Sequence, residues 1–196
     1  MRMRLIMIRH GQSEWKPPRF VSLSQFRQET VAYDAAHLSD QGIRNIKALA
    51  MQLPQAPILS SNLLRAKETA EIIGRGRATI KFDSMFRELQ APTIAAHLLS
   101  KLQIPPTIWS LIHWGCWSAG IGICPEGPRA AWRRASQATN LILSSIGEED
   151  TIILVSHGWF ITLLTIYLRK HGLIERGPFL PQVGFGGMTE YHLRVA

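Results

Sequence analysis

Cysteine is scarce in this chain, which contains Cys116 and Cys124 as its two thiols among 196 residues. They form no Cys-x-x-Cys pair, and neither has a histidine nearby at the spacing of a zinc finger. The sequence therefore argues against structural zinc and against a disulfide-rich secreted scaffold. We expect reduced, partly buried thiols and a cytoplasmic location.

Acidic residues are also few. The 14 Asp and Glu residues stand against 22 Lys and Arg, which gives a net charge of +8. This excess favours anionic partners, and phosphorylated metabolites, nucleic acid and acidic lipid all fit that description. Nucleic-acid binding would need a concentrated basic stripe or an aromatic platform, whereas the basic residues here are scattered. We therefore expect no nucleic-acid partner.

Long hydrophobic runs are missing too. The apolar stretch behind the basic start ends at Arg9, which is too short for the core of a signal peptide. Residues 151–168 contain no Asp, Glu, Lys or Arg and approach the lower length limit of a membrane span. However, the tripeptide Ser156-His157-Gly158 would lie near the bilayer centre at high cost. A strand that turns into a helix explains these residues better, so we expect no export and no membrane segment.

The remaining pattern predicts one α/β domain over residues 1–196, built as a three-layer sandwich in which helices flank a mostly parallel sheet. The basis is that strands alternate with helices of ten or more residues. Arg129, Arg133 and Arg134 are expected on the solvated face of an amphipathic helix. Strands are predicted at residues 5–8, 57–61, 79–82, 151–156 and 188–195, and helices at 40–53, 62–74, 128–146 and 159–170, with Asn62 as the cap of the second.

Two segments lack a clear periodic pattern. Residues 15–37 are polar and contain Pro17-Pro18, so we predict a loop that borders the site. Residues 90–127 form a variable, lid-like insertion with helical pieces around 94–102 and 107–114. Its tryptophans are interpreted either as ordinary packing residues under a long loop or as part of a lid. They are Trp109, Trp114 and Trp117.

Two histidine-glycine pairs follow apolar runs. Arg9-His10-Gly11 comes after the first predicted strand, and His157-Gly158 comes after the strand at 151–156. Open α/β sheets bind ligands at the carboxyl ends of their strands, so both histidines can face one site. Arginine provides a charged fork suited to phosphate, and neutral imidazole is a competent nucleophile when its second nitrogen is held by an acceptor.

Two further residues have positions that suit such a site. Arg65 lies at the start of a helix that follows a strand, where free backbone N–H groups and the helix dipole favour an anion. Glu88 follows the third predicted strand. Taken singly, Arg65 would be an ordinary surface arginine, and Glu88 would be one partner of an ion pair.

Together these residues resemble the histidine phosphatase superfamily, in its phosphoglycerate-mutase-like branch. The resemblance covers nearly the whole chain except residues 90–127, and five motifs occur in the family's order. They are Arg9 to Ser13, Leu38 to Gly42 (Leu-Ser-x-x-Gly), Ser61 to Ala70 (Ser-x-x-x-Arg-Ala-x-x-Thr-Ala), Glu88, and Ser156 to Gly158.

The resemblance implies a two-step phosphoryl transfer. His10 would become phosphorylated, and Glu88 would first protonate the leaving oxygen and then accept a proton from water. Arg9, Arg65 and His157 would surround the equatorial oxygens, so that neither a metal nor a cofactor is required. For Glu88 to begin protonated, apolar burial should raise its pKa, with nearby arginines opposing the shift.

The match also has departures and open questions. Many relatives have asparagine after the tryptophan where this chain has Lys16, which could contact phosphate or point into solvent. Ser13 and Gly158 are expected to contact substrate, and His37 is expected to be structural. The glycine-rich stretch at 184–187 could touch the site or form a turn or bulge.

Residues 90–127 show little likeness to the segment that gives mutases their substrate contacts. Hydrolysis of a small phosphorylated metabolite is therefore the first expectation, with mutase-type phosphotransfer and phosphoprotein hydrolysis as alternatives. A non-catalytic binding module is a further alternative, but it would tolerate replacement of the five catalytic residues, all of which are present. Either a monomer or a homodimer is compatible with the sequence.

Overall fold

The structure is a computed structural model that describes residues 2–76, 78–90, 102–123, 125–145 and 150–194. In those ranges six strands form one sheet and six α-helices surround it. The strands are β1 (Arg2–Arg9), β2 (Ile58–Ser61), β3 (Ile80–Asp83), β4 (Thr151–Ser156), β5 (Ile174–Arg176) and β6 (Met188–Arg194). The helices are α1 (Leu23–Ala35), α2 (Asp40–Ala50), α3 (Leu64–Gly74), α4 (Pro106–Ser118), α5 (Pro128–Ser144) and α6 (Gly158–Lys170).

The sheet has the strand order β3-β2-β4-β1-β6-β5. The first four strands of that order are mutually parallel, while β6 runs antiparallel to both of its neighbours. The predicted α/β sandwich with a mostly parallel sheet is confirmed. Because β1 and β4 are adjacent and parallel, their carboxyl ends lie side by side, with Arg9 opposite Ser156.

Successive residues of the central strands supply two separate cores. Leu5 and Met7 of β1 face α5 and α6, whereas Ile6 and Ile8 face α2 and α3. This alternation follows from the two-residue period of a strand. It explains why residues 5–8 of β1 and 152–155 of β4 are continuous apolar runs, since these parts of the two strands are covered on both faces.

The predicted loop at 15–37 is wrong over more than half of its length, because α1 lies within it. Ser22 caps this helix: its Oγ accepts from the backbone N–H of Gln25, whose side chain accepts from the N–H of Ser22. Of its residues, only Leu23 and Phe26 are buried. So narrow an apolar stripe gives almost no helical period in the sequence, and the capping box was the usable signal.

Other boundaries differ in smaller ways. The N-cap of helix α3 is Leu63 and not the predicted Asn62. The side chain of Asn62 instead accepts a hydrogen bond from Arg87. Strand β5 was not predicted, since three residues are too few to show a pattern. Helix α4 confirms the piece expected around 107–114. The helical piece expected around 94–102 falls, apart from Leu102, outside the described residues, as does Cys124.

The predicted solvated face of α5 is wrong for one of its three arginines. Arg129 and Arg133 are exposed, but the Arg134 side chain is only 16% exposed and is paired with Glu126. Its position on α5 faces the turn after β3, where backbone carbonyls provide acceptors. Of the helices described, none is long and apolar enough to cross a membrane.

The tryptophans of α4 are placed as packing residues, which is one of the two roles expected for them. Trp109 is fully buried, packs with Phe26 of α1, and donates from Nε1 to the carbonyl of Val21 at 2.8 Å. Trp117 is buried in the core beside α5 and α6, and Trp114 packs against that core. Both also line a cavity beside the carboxyl ends of the parallel strands.

Candidate active site

The two site histidines directly follow neighbouring parallel strands. His10 follows β1 and His157 follows β4, and their ring centroids are 5.0 Å apart. Their exposed fractions are 1% and 0%. The sheet topology therefore brings together two imidazoles that are 147 residues apart, as their places at strand ends predicted.

His10 is held in one neutral tautomer. Its Nδ1 is 2.8 Å from the carbonyl oxygen of Gly11, which can only accept, so Nδ1 carries the proton. The lone pair of Nε2 then accepts from the Tyr33 hydroxyl at 3.1 Å and from Arg65 Nε at 3.2 Å. Burial, reinforced by the positive charge of Arg65, holds the pKa of His10 well below its usual range. The ring is thus neutral, with its lone pair directed at donors.

Arg65 is fully buried near the start of α3 and joins the two histidines. Besides its bond to His10, Nη2 lies 3.4 Å from Nδ1 of His157. Nη1 donates to the backbone carbonyl of Tyr33 at 2.8 Å, and Nη2 is 3.1 Å from Asp34 Oδ1. The guanidinium also lies over the Tyr33 ring, 4.0 Å from its centroid. A buried arginine with these partners has a fixed orientation.

His157 has the opposite tautomer. Since its Nδ1 faces a guanidinium that can only donate, Nε2 carries the proton and donates to Ser61 Oγ at 2.8 Å. Burial holds the pKa of His157 well below its usual range, and the nearby His10 and Arg65 reinforce the shift. Both imidazoles are therefore neutral in the ligand-free protein.

Arg9 lies beside the start of α6. Its guanidinium stacks 4.1 Å from the Phe185 ring centroid and donates through Nη1 to the Val183 carbonyl. Its Nε is buried without a hydrogen-bond partner, so this donor is available to a bound anion. A Cβ added to Gly158 would lie 3.7 Å from the guanidinium, so the predicted contact residue Gly158 adjoins Arg9.

Glu88 caps the N-terminus of α6. Oε1 accepts from the backbone N–H groups of Leu89 and Phe160 at 3.0 and 2.9 Å, and Oε2 accepts from Trp159 at 3.2 Å. Burial raises the pKa of this carboxyl, while the three backbone N–H groups and Arg9 oppose the rise. A raised pKa is expected for a carboxyl that must begin the reaction protonated. Of the groups that oppose the rise, the sequence predicted an arginine but not the backbone N–H groups.

A cavity of about 790 Å³ opens next to these groups. Arg9, Arg65 and Glu88 line it, together with the predicted contact residues Ser13 and Lys16. One wall is aromatic, because Trp114 stacks between Trp117 and Trp159. The Trp114 ring centroid is 4.9 Å from that of Trp117 and 4.3 Å from that of Trp159. The cavity therefore has a cationic end and an apolar side. Within the described ranges, no cluster of three or more His, Cys, Asp or Glu residues could hold a metal ion.

Several site residues were not predicted. Tyr33 and Asp34 belong to α1, which the sequence does not reveal, and Ser61 stands out in the sequence only as part of a motif. Phe185 lies in the glycine-rich stretch at 184–187, for which the sequence allows either a contact with the site or a turn. Its ring centroid is 5.6 Å from that of His10. His37, expected to be structural, forms an ion pair with Glu68 that raises its pKa.

This is an α/β protein in which two neutral imidazoles, the buried Arg65 and the partly buried Arg9 meet at the carboxyl ends of parallel strands, where such sheets bind ligands. The sequence profile of the histidine phosphatase superfamily, branch 1, matches residues 5–179, and the chain belongs to that superfamily. The resemblance stated from the motifs is thus confirmed. The chain is accordingly a phosphatase, and a histidine nucleophile is typical of the family.

Solved structures agree on the fold. Mycobacterial glucosyl-3-phosphoglycerate phosphatase is 21% identical, with a TM-score of 0.59 over 87% of this chain and 81% of that one. Phosphoserine phosphatase from Entamoeba histolytica, solved with 3-phosphoglyceric acid, is 23% identical, with a TM-score of 0.59 over 95% and 89%. Mycobacterial hydrolase 2 is 21% identical, with a TM-score of 0.63 over 100% and 84%. No curated protein matches in sequence.

Proposed function

We propose that the chain is a metal-independent phosphomonoester phosphatase that acts through a phosphohistidine on His10. The observation that supports this most directly is the tautomer of His10. Gly11 holds the Nδ1 proton, which leaves the Nε2 lone pair in the plane where Arg65 donates. An incoming phosphoryl group would displace the Tyr33 hydroxyl from this lone pair and bring its oxygens to the guanidinium.

In the first step Nε2 of His10 attacks phosphorus, the bond to the ester oxygen breaks, and protonated Glu88 gives its proton to that oxygen. Arg9, Arg65 and His157 stabilise the equatorial oxygens, on which charge accumulates. The donors are the unpartnered Nε of Arg9 and the fork of Arg65. Nε2 of His157 donates to Ser61, so His157 becomes a donor to the phosphate when the bound dianion raises its pKa and Nδ1 gains a proton.

In the second step water attacks the phosphohistidine. Glu88, now a carboxylate, takes the proton from that water, the N–P bond breaks, and the pair returns to His10 Nε2. Inorganic phosphate is released and Glu88 is again protonated. The raised pKa of Glu88 suits it to alternate between acid and base.

For the substrate, we infer a small phosphorylated metabolite whose organic part is larger than a triose. The cavity volume and the stacked tryptophan wall support this inference, because pockets with aromatic sides bind extended apolar or ring-shaped groups. Lys16 and Ser13 line the same cavity and are proposed as further contacts. Turnover of phosphoglycerate equal to that of aryl or nucleotide monophosphates would contradict this choice and favour a mutase-like substrate.

The central test is hydrolysis of 4-nitrophenyl phosphate with a chelator present. We expect full activity in the native chain, and loss of both turnover and the alkali-stable phosphoenzyme in His10→Ala. His192→Ala, which changes a histidine with a 44% exposed side chain on β6, is the matched control. Undiminished turnover in His10→Ala would reject the mechanism, and activity lost with chelator alone would indicate a metal enzyme.

A further inference from the structure

The side chain of Arg134 makes four hydrogen bonds that no part of the proposed phosphoryl transfer requires. Nε and Nη2 donate to the two carboxylate oxygens of Glu126 at 2.6 Å each, which is a bidentate pair. Nη1 donates to the backbone carbonyls of Met85 and Arg87 at 2.7 and 2.8 Å. Such a fork fixes two segments relative to each other, because the guanidinium is planar and its donors cannot rotate independently.

The two carbonyls belong to the turn that carries Glu88. Between them, the carbonyl of Phe86 accepts from Ser156 Oγ at 2.7 Å, at the end of β4. Three successive carbonyls, of Met85, Phe86 and Arg87, are therefore held by side chains from α5 and β4. The residue that follows them is the proposed acid.

Arg134 also contacts the group that orients the carboxylate of Glu88. Its guanidinium lies 4.3 Å from the ring centroid of Phe160, and the backbone N–H of Phe160 donates to Glu88 Oε1 at 2.9 Å. Arg134 thus touches both the backbone that leads into Glu88 and the first turn of α6, whose N–H groups donate to the carboxylate of Glu88. A shift of either segment would change the distance from the acid to the leaving oxygen.

Glu126 connects the same unit to the cavity wall. Its backbone carbonyl accepts from Trp117 Nε1 at 2.8 Å, and Trp117 stacks on Trp114, which stacks on Trp159. The backbone N–H of Trp159 donates to Glu88 Oε2. The aromatic wall and the acid therefore share one set of contacts that passes through Glu126 and Arg134.

We propose that Arg134, with Glu126, is a positioning residue for Glu88: it fixes the acid at the edge of the cavity where the leaving oxygen must lie. This inference rests on the proposed function, because it assumes that Glu88 protonates that oxygen. Displacing a catalytic group by about 1 Å costs up to about a hundredfold in rate. Substitution of Arg134 or Glu126 should therefore slow protonation of the leaving group and leave the attack by His10 unchanged.

The test compares phenyl phosphate with 4-nitrophenyl phosphate, which have similar bodies but differ in their need for a proton on the leaving oxygen. The measured quantity is kcat/KM, which reports the steps up to phosphohistidine formation. For Arg134→Lys and Glu126→Gln we expect a loss of about ten- to a hundredfold with phenyl phosphate. With 4-nitrophenyl phosphate the loss should be within about threefold, because its leaving group departs without full protonation.

Arg133→Lys is the matched control, since Arg133 is the exposed neighbour on the same helix. An equal loss with both substrates, or no loss with either, would overturn the positioning role. Glu126→Gln keeps the shape of the side chain that pairs with Arg134. If Arg134→Lys does not fold, the Glu126→Gln variant tests the positioning role by itself. Glu88→Gln separates the two hypotheses: if it shows no leaving-group preference, the acid role itself fails. If it shows one and the Arg134 and Glu126 variants do not, only the positioning role fails.

Discussion

Arg65 lies between the two site histidines, with Nε 3.2 Å from Nε2 of His10 and Nη2 3.4 Å from Nδ1 of His157. One rigid, permanently charged group therefore contacts the proposed nucleophile and its neighbour at once. Burial is the main cause of the lowered pKa of both imidazoles, and Arg65 reinforces it, since a proton on either lone pair would face a cation.

Arg65→Lys should lower kcat by a factor on the order of a hundred or more. Lysine keeps the charge but loses the fork that spans both histidines, and loss of one such donor is typically this costly. We also expect a lower Tm, because the bonds to the Tyr33 carbonyl and Asp34 are lost. Arg44→Lys, on the exposed face of α2, controls for the substitution. Retention of native kcat would remove Arg65 from the mechanism.

The pH dependence of kcat/KM should have two limbs with different origins. His10 must be neutral, and its pKa lies well below the ordinary value of 6.5, so activity is lost on the acid side only below that lowered pKa. Glu88 must be protonated, so activity falls as pH rises through a pKa that lies above its ordinary value of 4.5. Activity is therefore expected to be highest between the lowered pKa of His10 and the raised pKa of Glu88.

The alkaline limb is assigned with Glu88→Gln and phenyl phosphate. This variant cannot lose a proton, so the part of the limb that belongs to Glu88 should vanish, leaving only ionisation of the substrate's phosphate near pH 6. A pH–rate profile measured in parallel for both proteins checks this. An identical limb in the variant would show that another group controls it.

The strands and helices could be predicted from the sequence wherever their buried faces give the apolar residues a regular spacing or a continuous run. β1 and β4 are covered on both faces and stand out as apolar runs, and α2 shows its buried stripe through Gly42, Ile46 and Ala50. Helix α1 could not be recognised in this way, because it buries only two residues, Leu23 and Phe26, and they make no helical period. Both buried residues pack against Trp109 of α4, which is a tertiary contact that the local sequence does not show.

The same distinction applies to the site. His10, Arg65 and His157 come from strand ends and a helix start, and parallel topology brings such positions to one edge of the sheet. Tyr33 reaches that edge from α1, and Phe185 from the turn before β6. Tyr33 has no sequence pattern that relates it to the histidines, so only the structure could find it. For Phe185 the glycine-rich stretch at 184–187 offered contact with the site as one of two alternatives, and the structure selects that contact.

Trp114→Ala should weaken binding of the organic part of the substrate and leave phosphate binding unchanged. Trp114 stacks on Trp159 in the cavity wall, and an aromatic contact of this kind contributes about 0.5–1.5 kcal/mol. We expect KM for 1-naphthyl phosphate to rise about three- to tenfold, while the inhibition constant of inorganic phosphate stays constant. Leu111→Ala, 59% exposed on the same helix, is the control. A parallel rise in both constants would contradict the separation of the cavity into two ends.

Gly42 explains part of the Leu-Ser-x-x-Gly motif. It lies in the first turn of α2, where a Cβ would be 2.1 Å from the backbone carbonyl oxygen of Gln12. That carbonyl also accepts from the backbone N–H of Ser39 at 2.9 Å, so the loop after His10 is bound to the start of α2. A side chain at Gly42 must move one backbone segment away from the other.

Gly42→Ala should therefore destabilise the protein by roughly 1–3 kcal/mol, the range typical of overpacking, although alanine is the better helix former. Gly115→Ala makes the same change within α4, where an added Cβ would meet nothing within 4 Å. It should stabilise by up to about 0.5–1 kcal/mol, because alanine loses less backbone entropy on folding. Urea unfolding of both variants measures the two free energies of unfolding. Equal shifts would mean that helix propensity alone acts at Gly42, and that the Gln12 loop moves aside without cost.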